Sequence, residues 1–117
     1  MPIANALAGI AVQDLAVSRG WYEALLESPS SSPMPEVAEW SLPRGGGLQL
    51  FRDPLRAGSS SATLAVDDID AQRERLATLG VEIVDSTDAD AVRTITLRDP
   101  DDNRLVLAQA LDPRLAH

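Results

Sequence analysis

The sequence predicts an α+β fold in which two related halves each combine one helix with antiparallel strands. Short apolar, strand-like segments alternate with amphipathic helix patterns. The pattern of residues 8–15 returns without a gap at residues 62–69. Because halves of about 55 residues are too small to be very stable on their own, we expect the two halves to share one hydrophobic core. The 117 residues therefore form one predicted domain, residues 1–117, with modules at about residues 5–53 and 60–110.

The first half starts with a buried strand at Leu7–Val12. Apolar residues at near-helical spacing then predict an amphipathic helix over residues 15–27. Residues 28–35 are rich in serine and proline, which is typical of a loop or a poorly formed edge strand. Strands are predicted at residues 37–42 and 48–52, and the glycine-rich segment between them predicts a hairpin turn.

The second half repeats this order. A strand at residues 62–66 leads into a helix whose inward residues are predicted to be Ile69, Leu76 and Leu79. Gly80 is a natural C-terminal cap for that helix. Strands are then predicted at residues 81–84, 92–98 and 104–109, with residues 99–103 as the turn between the last two.

Composition and charge exclude several classes of protein. The 18 acidic and 10 basic residues give a net charge of -8, which repels nucleic acid and anionic membranes and favours cationic ligands. Cysteine is absent, so disulfides, thiolate metal sites and cysteine nucleophiles are excluded. The single histidine, His117, ends the chain, where a frayed tail is expected. Without a membrane helix pattern or a signal sequence at the start, we expect a cytoplasmic protein.

Aspartates cluster at Asp67-Asp68 and at Asp99-Pro100-Asp101-Asp102. These clusters superficially resemble calcium ligands. The first cluster lies at a predicted strand-to-helix junction and the second in a predicted hairpin, where aspartate accepts hydrogen bonds from nearby backbone N–H groups. We therefore interpret both as capping and turn residues.

Several segments together resemble the vicinal oxygen chelate superfamily, which includes glyoxalase I, bleomycin resistance proteins and extradiol dioxygenases. The resemblance covers almost the whole chain, and Asp102 stands where the family usually has glycine. The segments that carry it are Val12-Gln13-Asp14-Leu15, Trp21-Tyr22-Glu23-Ala24-Leu25-Leu26, Val66-Asp67-Asp68-Ile69, Leu79-Gly80-Val81 and Arg93-Thr94-Ile95-Thr96-Leu97-Arg98-Asp99-Pro100-Asp101-Asp102-Asn103.

The resemblance implies two βαβββ modules that form a curled mixed sheet with a cleft, as in the glyoxalase/bleomycin resistance fold. It also implies metal-ligand positions at Leu7, Gln49, Ser61 and Val106. A divalent transition metal requires histidine nitrogens and carboxylates, whereas leucine and valine offer no lone pair and serine and glutamine are feeble ligands. We therefore expect no metal and no cofactor.

Strand alternation predicts which side chains line the cleft. Glu39 could contact a ligand or act as a base, and the alternative is a solvated strand residue. Gln49 could contact a ligand, and the alternative is a residue that only fills space. Trp40 is either a core residue or, if its strand is inverted, a stacking platform. The predicted ligand-binding residues are Leu7, Glu39, Trp40, Ser41, Gln49, Phe51, Ser61, Thr63, Thr94, Thr96, Arg104 and Val106.

Three functions are compatible with such a surface. The first is a metal-free protein of the bleomycin-resistance kind that holds a neutral or cationic organic molecule, in the manner of an antibiotic-resistance protein. The second is a metal-independent enzyme that uses Glu39, Gln49 or Arg93. The third is a degenerate module that binds a protein partner. The resemblance implies a homodimer in all three cases.

Overall fold

The computed structural model describes residues 2–111, and the predicted tail residue His117 lies outside this range. Within it lie two helices and seven strands in two mixed sheets, so the predicted α+β class is confirmed. The chain divides into two compact units. The first unit runs to Ser60 and includes Pro100–Asn103, and the second comprises Ser61–Asp99 and the chain from Arg104 onwards. Neither helix is long and apolar enough to cross a membrane.

The first unit consists of β1 (Leu7–Val12), α1 (Leu15–Leu26), β2 (Val37–Ser41) and β3 (Gly47–Arg52). The strand order is β1-β3-β2, with β1 parallel and β2 antiparallel to β3. Asp14 caps α1 by accepting a hydrogen bond from Val17 N at 3.2 Å. The helix packs against β2 and β3. The fully buried core side chains of this unit include Ile10, Val12, Tyr22, Leu48 and Leu50.

The second unit consists of β4 (Ser61–Ala65), α2 (Ile69–Leu79), β5 (Asp85–Asp88), β6 (Val92–Arg98) and β7 (Arg104–Ala110). The strand order is β4-β7-β6-β5. Asp68 caps α2 by accepting from Ala71 N at 3.1 Å, which agrees with its interpretation as a capping residue. The helix ends at Gly80, whose φ of 73° is readily adopted by glycine.

Two predictions about the second unit were wrong. The strand predicted at residues 81–84 lies instead at Asp85–Asp88, where all four residues are exposed and pair with β6. Leu79 was predicted to face inward but is 43% exposed, whereas Ile69 and Leu76 are buried as predicted. The buried contacts of α2 therefore end at Leu76, about one turn before the predicted last contact at Leu79.

The serine-rich segment of the first unit corresponds in position to β5. Its Ser31 forms an isolated antiparallel bridge with Glu39 of β2. In the second unit the equivalent pairing joins Asp85 to Thr96. The first unit is therefore βαββ, and its fourth strand is reduced to the single bridge between Ser31 and Glu39. This confirms the loop or poorly formed edge strand predicted at residues 28–35.

The turn between β6 and β7 belongs to the first unit. Its Asn103 is fully buried and accepts hydrogen bonds from Gly58 N and Ser60 N, both at 2.9 Å. The same amide donates to Ala11 O at 2.9 Å. In this turn Asp102 has a φ of 73°, the left-handed conformation in which the resemblance leads one to expect glycine.

Candidate functional site

Each unit has a sheet with one helix packed on one face, and we call the opposite face the distal face. Register fixes its members, because residues directly opposite each other on paired strands point to the same side. In the first unit Gly9, Gln49 and Glu39 form one row across β1, β3 and β2. The rows on either side of it are Leu7, Gly47 and Ser41, and Ala11, Phe51 and Val37.

The polar centre of this face is the cross-strand pair of Glu39 and Gln49. Both residues are half-buried. Within residues 2–111 neither side chain makes a hydrogen bond or an ion pair, although the Glu39 backbone pairs with Ser31. A carboxylate and an amide therefore stand side by side with their hydrogen-bonding capacity available to a ligand.

Phe51 supplies the aromatic surface of the first unit's distal face. Its ring lies over Gly9, because a Cβ added at Gly9 would be 3.3 Å from the ring atom Cε1. Glu39 and Phe51 are diagonal neighbours on β2 and β3, about 7–8 Å apart in such pairs. Gly9 was not predicted as a site residue. Its lack of a side chain beneath an aromatic could have been found only from the register of β1 against β3.

Trp40 lies on the helix face rather than the distal face. It stands opposite Leu48, is 3% exposed, and its ring centroid is 6.1 Å from that of Tyr22. Its indole Nε1 donates to Ser28 O at 3.0 Å, so the polar end of the ring is satisfied within the unit. The core interpretation is correct, and including Trp40 among the ligand-binding residues was wrong.

The distal face of the second unit is built from equivalent positions. Ser61, Arg104 and Arg98 form its first row, and Thr63, Val106, Thr96 and Asp85 form the second. Ala65, Ala108, Thr94 and Thr87 form the third, in which the hydroxyls of Thr87 and Thr94 are 2.6 Å apart. The predicted residues of the second half therefore share one face. Arg98, which the prediction omitted, lies beside Arg104.

Arg93 lies on the helix face of the second unit. Its two terminal nitrogens donate to both carboxylate oxygens of Asp70 at 3.1 and 3.0 Å, and its Nε donates to Asp88 at 2.7 Å. This hydrogen-bonding lowers the pKa of Asp70 and raises that of Arg93. Arg93 therefore links α2, β5 and β6 on the helix face, and its suggested catalytic role stays a prediction.

The ligand positions implied by the resemblance also fall on the distal faces. Leu7 and Gln49 are diagonal neighbours in the first unit, as are Ser61 and Val106 in the second. Each pair offers at most one neutral oxygen, and this donor set does not fit a divalent transition metal. Among residues 2–111 no group of three or more histidine, cysteine, aspartate or glutamate side chains is placed to hold a metal ion.

Similar proteins share this architecture. A glyoxalase/bleomycin resistance protein from Catenulispora acidiphila is 32% identical, with a TM-score of 0.82 over 92% of this chain and 99% of that one. TnmS3, an antibiotic binding protein from Streptomyces, is 24% identical, with a TM-score of 0.81 over 94% and 98% of the two chains. A lactoylglutathione lyase from Agrobacterium tumefaciens is 16% identical, with a TM-score of 0.75 over 93% and 92%.

No curated protein matches the chain significantly in sequence. The glyoxalase-like domain family matches residues 8–108, which is most of the chain. The match includes the residues of both distal faces except Leu7, and also the turn that carries Asn103. The protein therefore belongs to the glyoxalase-like domain family of the vicinal oxygen chelate superfamily.

Proposed function

We propose that the protein is a metal-free small-molecule-binding protein, resembling bleomycin resistance proteins, that holds an organic cation on the distal face of its first unit. The observation that carries this proposal is the Glu39–Gln49 pair, whose side chains make no hydrogen bond or ion pair within the described residues. Two of the four implied ligand positions, Leu7 and Val106, carry no donor atom, and the feeble donors of Gln49 and Ser61 complete a set that supports a metal-free protein.

The chemistry of the face favours a cation with an apolar body. The half-buried carboxylate of Glu39 would pair with an ammonium group, and such charge-assisted hydrogen bonds are stronger than neutral ones. The Gln49 amide would orient a polar group beside it. A cation over the face of the Phe51 ring gains about 0.5–2 kcal/mol, depending on how far it is desolvated.

The family relationship supports binding of a small molecule, and the likeness to TnmS3 supports an antibiotic as one candidate ligand. The net charge of -8 would attract cations from a distance and so increase their rate of association. Long-range attraction does not select a site, however. The local arrangement of Glu39 and Phe51 has to supply the specificity.

Isothermal titration calorimetry tests this proposal with benzylamine and with cationic antibiotics such as bleomycin. We expect Glu39→Gln to weaken binding at least tenfold. The matched control is Glu74→Gln, which removes the same charge from an exposed position on α2 and should bind like the wild type. Absence of heat with every compound, or equal binding by both variants, would refute the proposal.

The alternative of a metal-independent enzyme would use Glu39 and Gln49 without Arg93, which faces α2. It predicts turnover that survives chelator treatment and disappears in Glu39→Gln. The alternative of a protein-binding module draws no support from the polar pair on the distal face, because that pair suits a small ligand.

We further propose that the chain works as a homodimer in the cytoplasm and binds neither nucleic acid nor membranes. Family membership supports the dimer, and the acidic charge opposes nucleic acid binding. Native mass spectrometry of freshly purified protein would report the oligomer and any retained ligand together. A monomer at micromolar concentration would contradict the dimer.

A further inference from the structure

We propose that the distal face of the second unit carries a separate binding site for an organic oxyanion, centred on Arg104. The site goes beyond the proposed function, which places a cation on the first unit, and does not depend on it. The oxyanion is a carboxylate or phosphate group attached to an apolar body.

The first observation is the row of side chains around Arg104. On β7 it stands directly opposite Ser61 of β4 on one side and Arg98 of β6 on the other. An anion bound by the Arg104 guanidinium would lie between the Arg98 and Ser61 positions of this row, and the Ser61 hydroxyl could donate a further hydrogen bond to it.

The second observation is that the Arg104 side chain makes no hydrogen bond or ion pair within residues 2–111 and that the residue is exposed. Other arginines of this acidic chain have carboxylate partners: Arg52 pairs with Glu36 at 3.8 Å and Arg56 with Asp53 at 3.6 Å. The Arg104 guanidinium therefore keeps its planar set of donors for a bidentate partner, the geometry that carboxylates and phosphates match.

The third observation is what adjoins Arg104 on the same face. Val106 lies in the next row and Ala65 and Ala108 in the row after it, so small apolar side chains continue from the charged end. The Thr63 hydroxyl stands beside Val106. A ligand with its oxyanion at Arg104 could lay an apolar body along this strip.

The site is specific to the second unit. The position equivalent to Arg104 in the first unit is Gly47, and the position equivalent to Arg98 is Ser41. The guanidinium pair is therefore not a requirement of the repeated fold.

Amide chemical shifts in a low-salt buffer test the proposal, with benzoate and phenyl phosphate as probes. We expect saturable shifts of the amide signals of Ser61, Thr63, Arg104 and Val106. The probe that binds more tightly identifies the preferred oxyanion. Arg104→Gln should weaken binding at least tenfold. Arg73→Gln, a matched loss of charge at an exposed position of α2, should leave it unchanged.

Benzyl alcohol serves as the uncharged analogue and should cause no saturable shift. Equal binding of benzyl alcohol and benzoate would overturn the proposal, as would equal binding by the Arg104→Gln and Arg73→Gln variants. Benzylamine titrated in parallel reports on the cation site of the first unit. The two proposals can therefore fail independently.

Discussion

Replacing Asn103 with alanine should destabilise the protein more than any exposed polar truncation. The side chain is fully buried, and its amide bonds to Ala11 O, Gly58 N and Ser60 N at 2.9 Å each. Removing it would leave three backbone groups without their partner. At about 1 kcal/mol of net stabilisation for each bond the loss is about 3 kcal/mol, and it rises towards about 5 kcal/mol if water cannot replace the amide.

Urea unfolding followed by tryptophan fluorescence measures this loss, because Trp21 and Trp40 both lie in the unit that holds Asn103. Asn5→Ala is the matched control. Asn5 accepts from Ala6 N and Gly46 N but is exposed, so water can take its place and the cost should stay below about 1 kcal/mol. A loss for Asn103→Ala no greater than that of the control would refute the reasoning.

Three further predictions concern stability. The hydrogen bonds from Arg93 lower the pKa of Asp70, so the stability that this ion pair contributes is fully present above the pKa of about 4 that Asp70 has in the unfolded chain, and it is lost as the pH falls through the lower pKa of the folded state. Asp70→Asn should therefore reduce the drop in urea midpoint between pH 7 and pH 3. An unchanged drop would count against this role of Asp70. Gly20→Ala should raise stability by up to about 1 kcal/mol, because Gly20 lies within α1 and has open space where the added Cβ would be. Gly47→Ala should lower stability, because the added Cβ would lie 2.7 Å from Trp40 O. Thermal unfolding of both variants checks that the two changes have opposite signs. We also propose that the two units unfold together as one domain, so that tryptophan fluorescence and hydrogen exchange of Leu107 report the same free energy of unfolding, and two separate values would contradict a shared core.

Residues on strands with strong alternation could be placed from the sequence. Leu48 and Leu50 are apolar and Gln49 between them is polar, so the period of two fixed the face of Gln49 before the register was known. Trp40 could not be placed in this way, because an aromatic on an edge strand suits either face. Only its pairing with Leu48 and its hydrogen bond to Ser28 decide the matter.

Strand β5 could not be predicted from the apolar pattern, because its sequence, Asp85-Ser86-Thr87-Asp88, contains no apolar residue. The β-branched residues just before it gave the stronger local signal at residues 81–84. Pairing with β6 selects the polar segment instead, so tertiary context overrides propensity. The hydrogen bonds between Arg93 and Asp70 could not be predicted either, because Asp70 lies 23 residues away in sequence and no spacing rule connects the two residues.

The assignment of the turn residues Pro100–Asn103 to the first unit bears on how the gene could be divided or duplicated. A fragment that stops at Ser60 would contain every strand and the helix of that unit and still lack the amide that satisfies Ala11, Gly58 and Ser60. Attempts to build a minimal half-protein should therefore graft the Pro100–Asn103 loop onto it or supply it as a separate peptide.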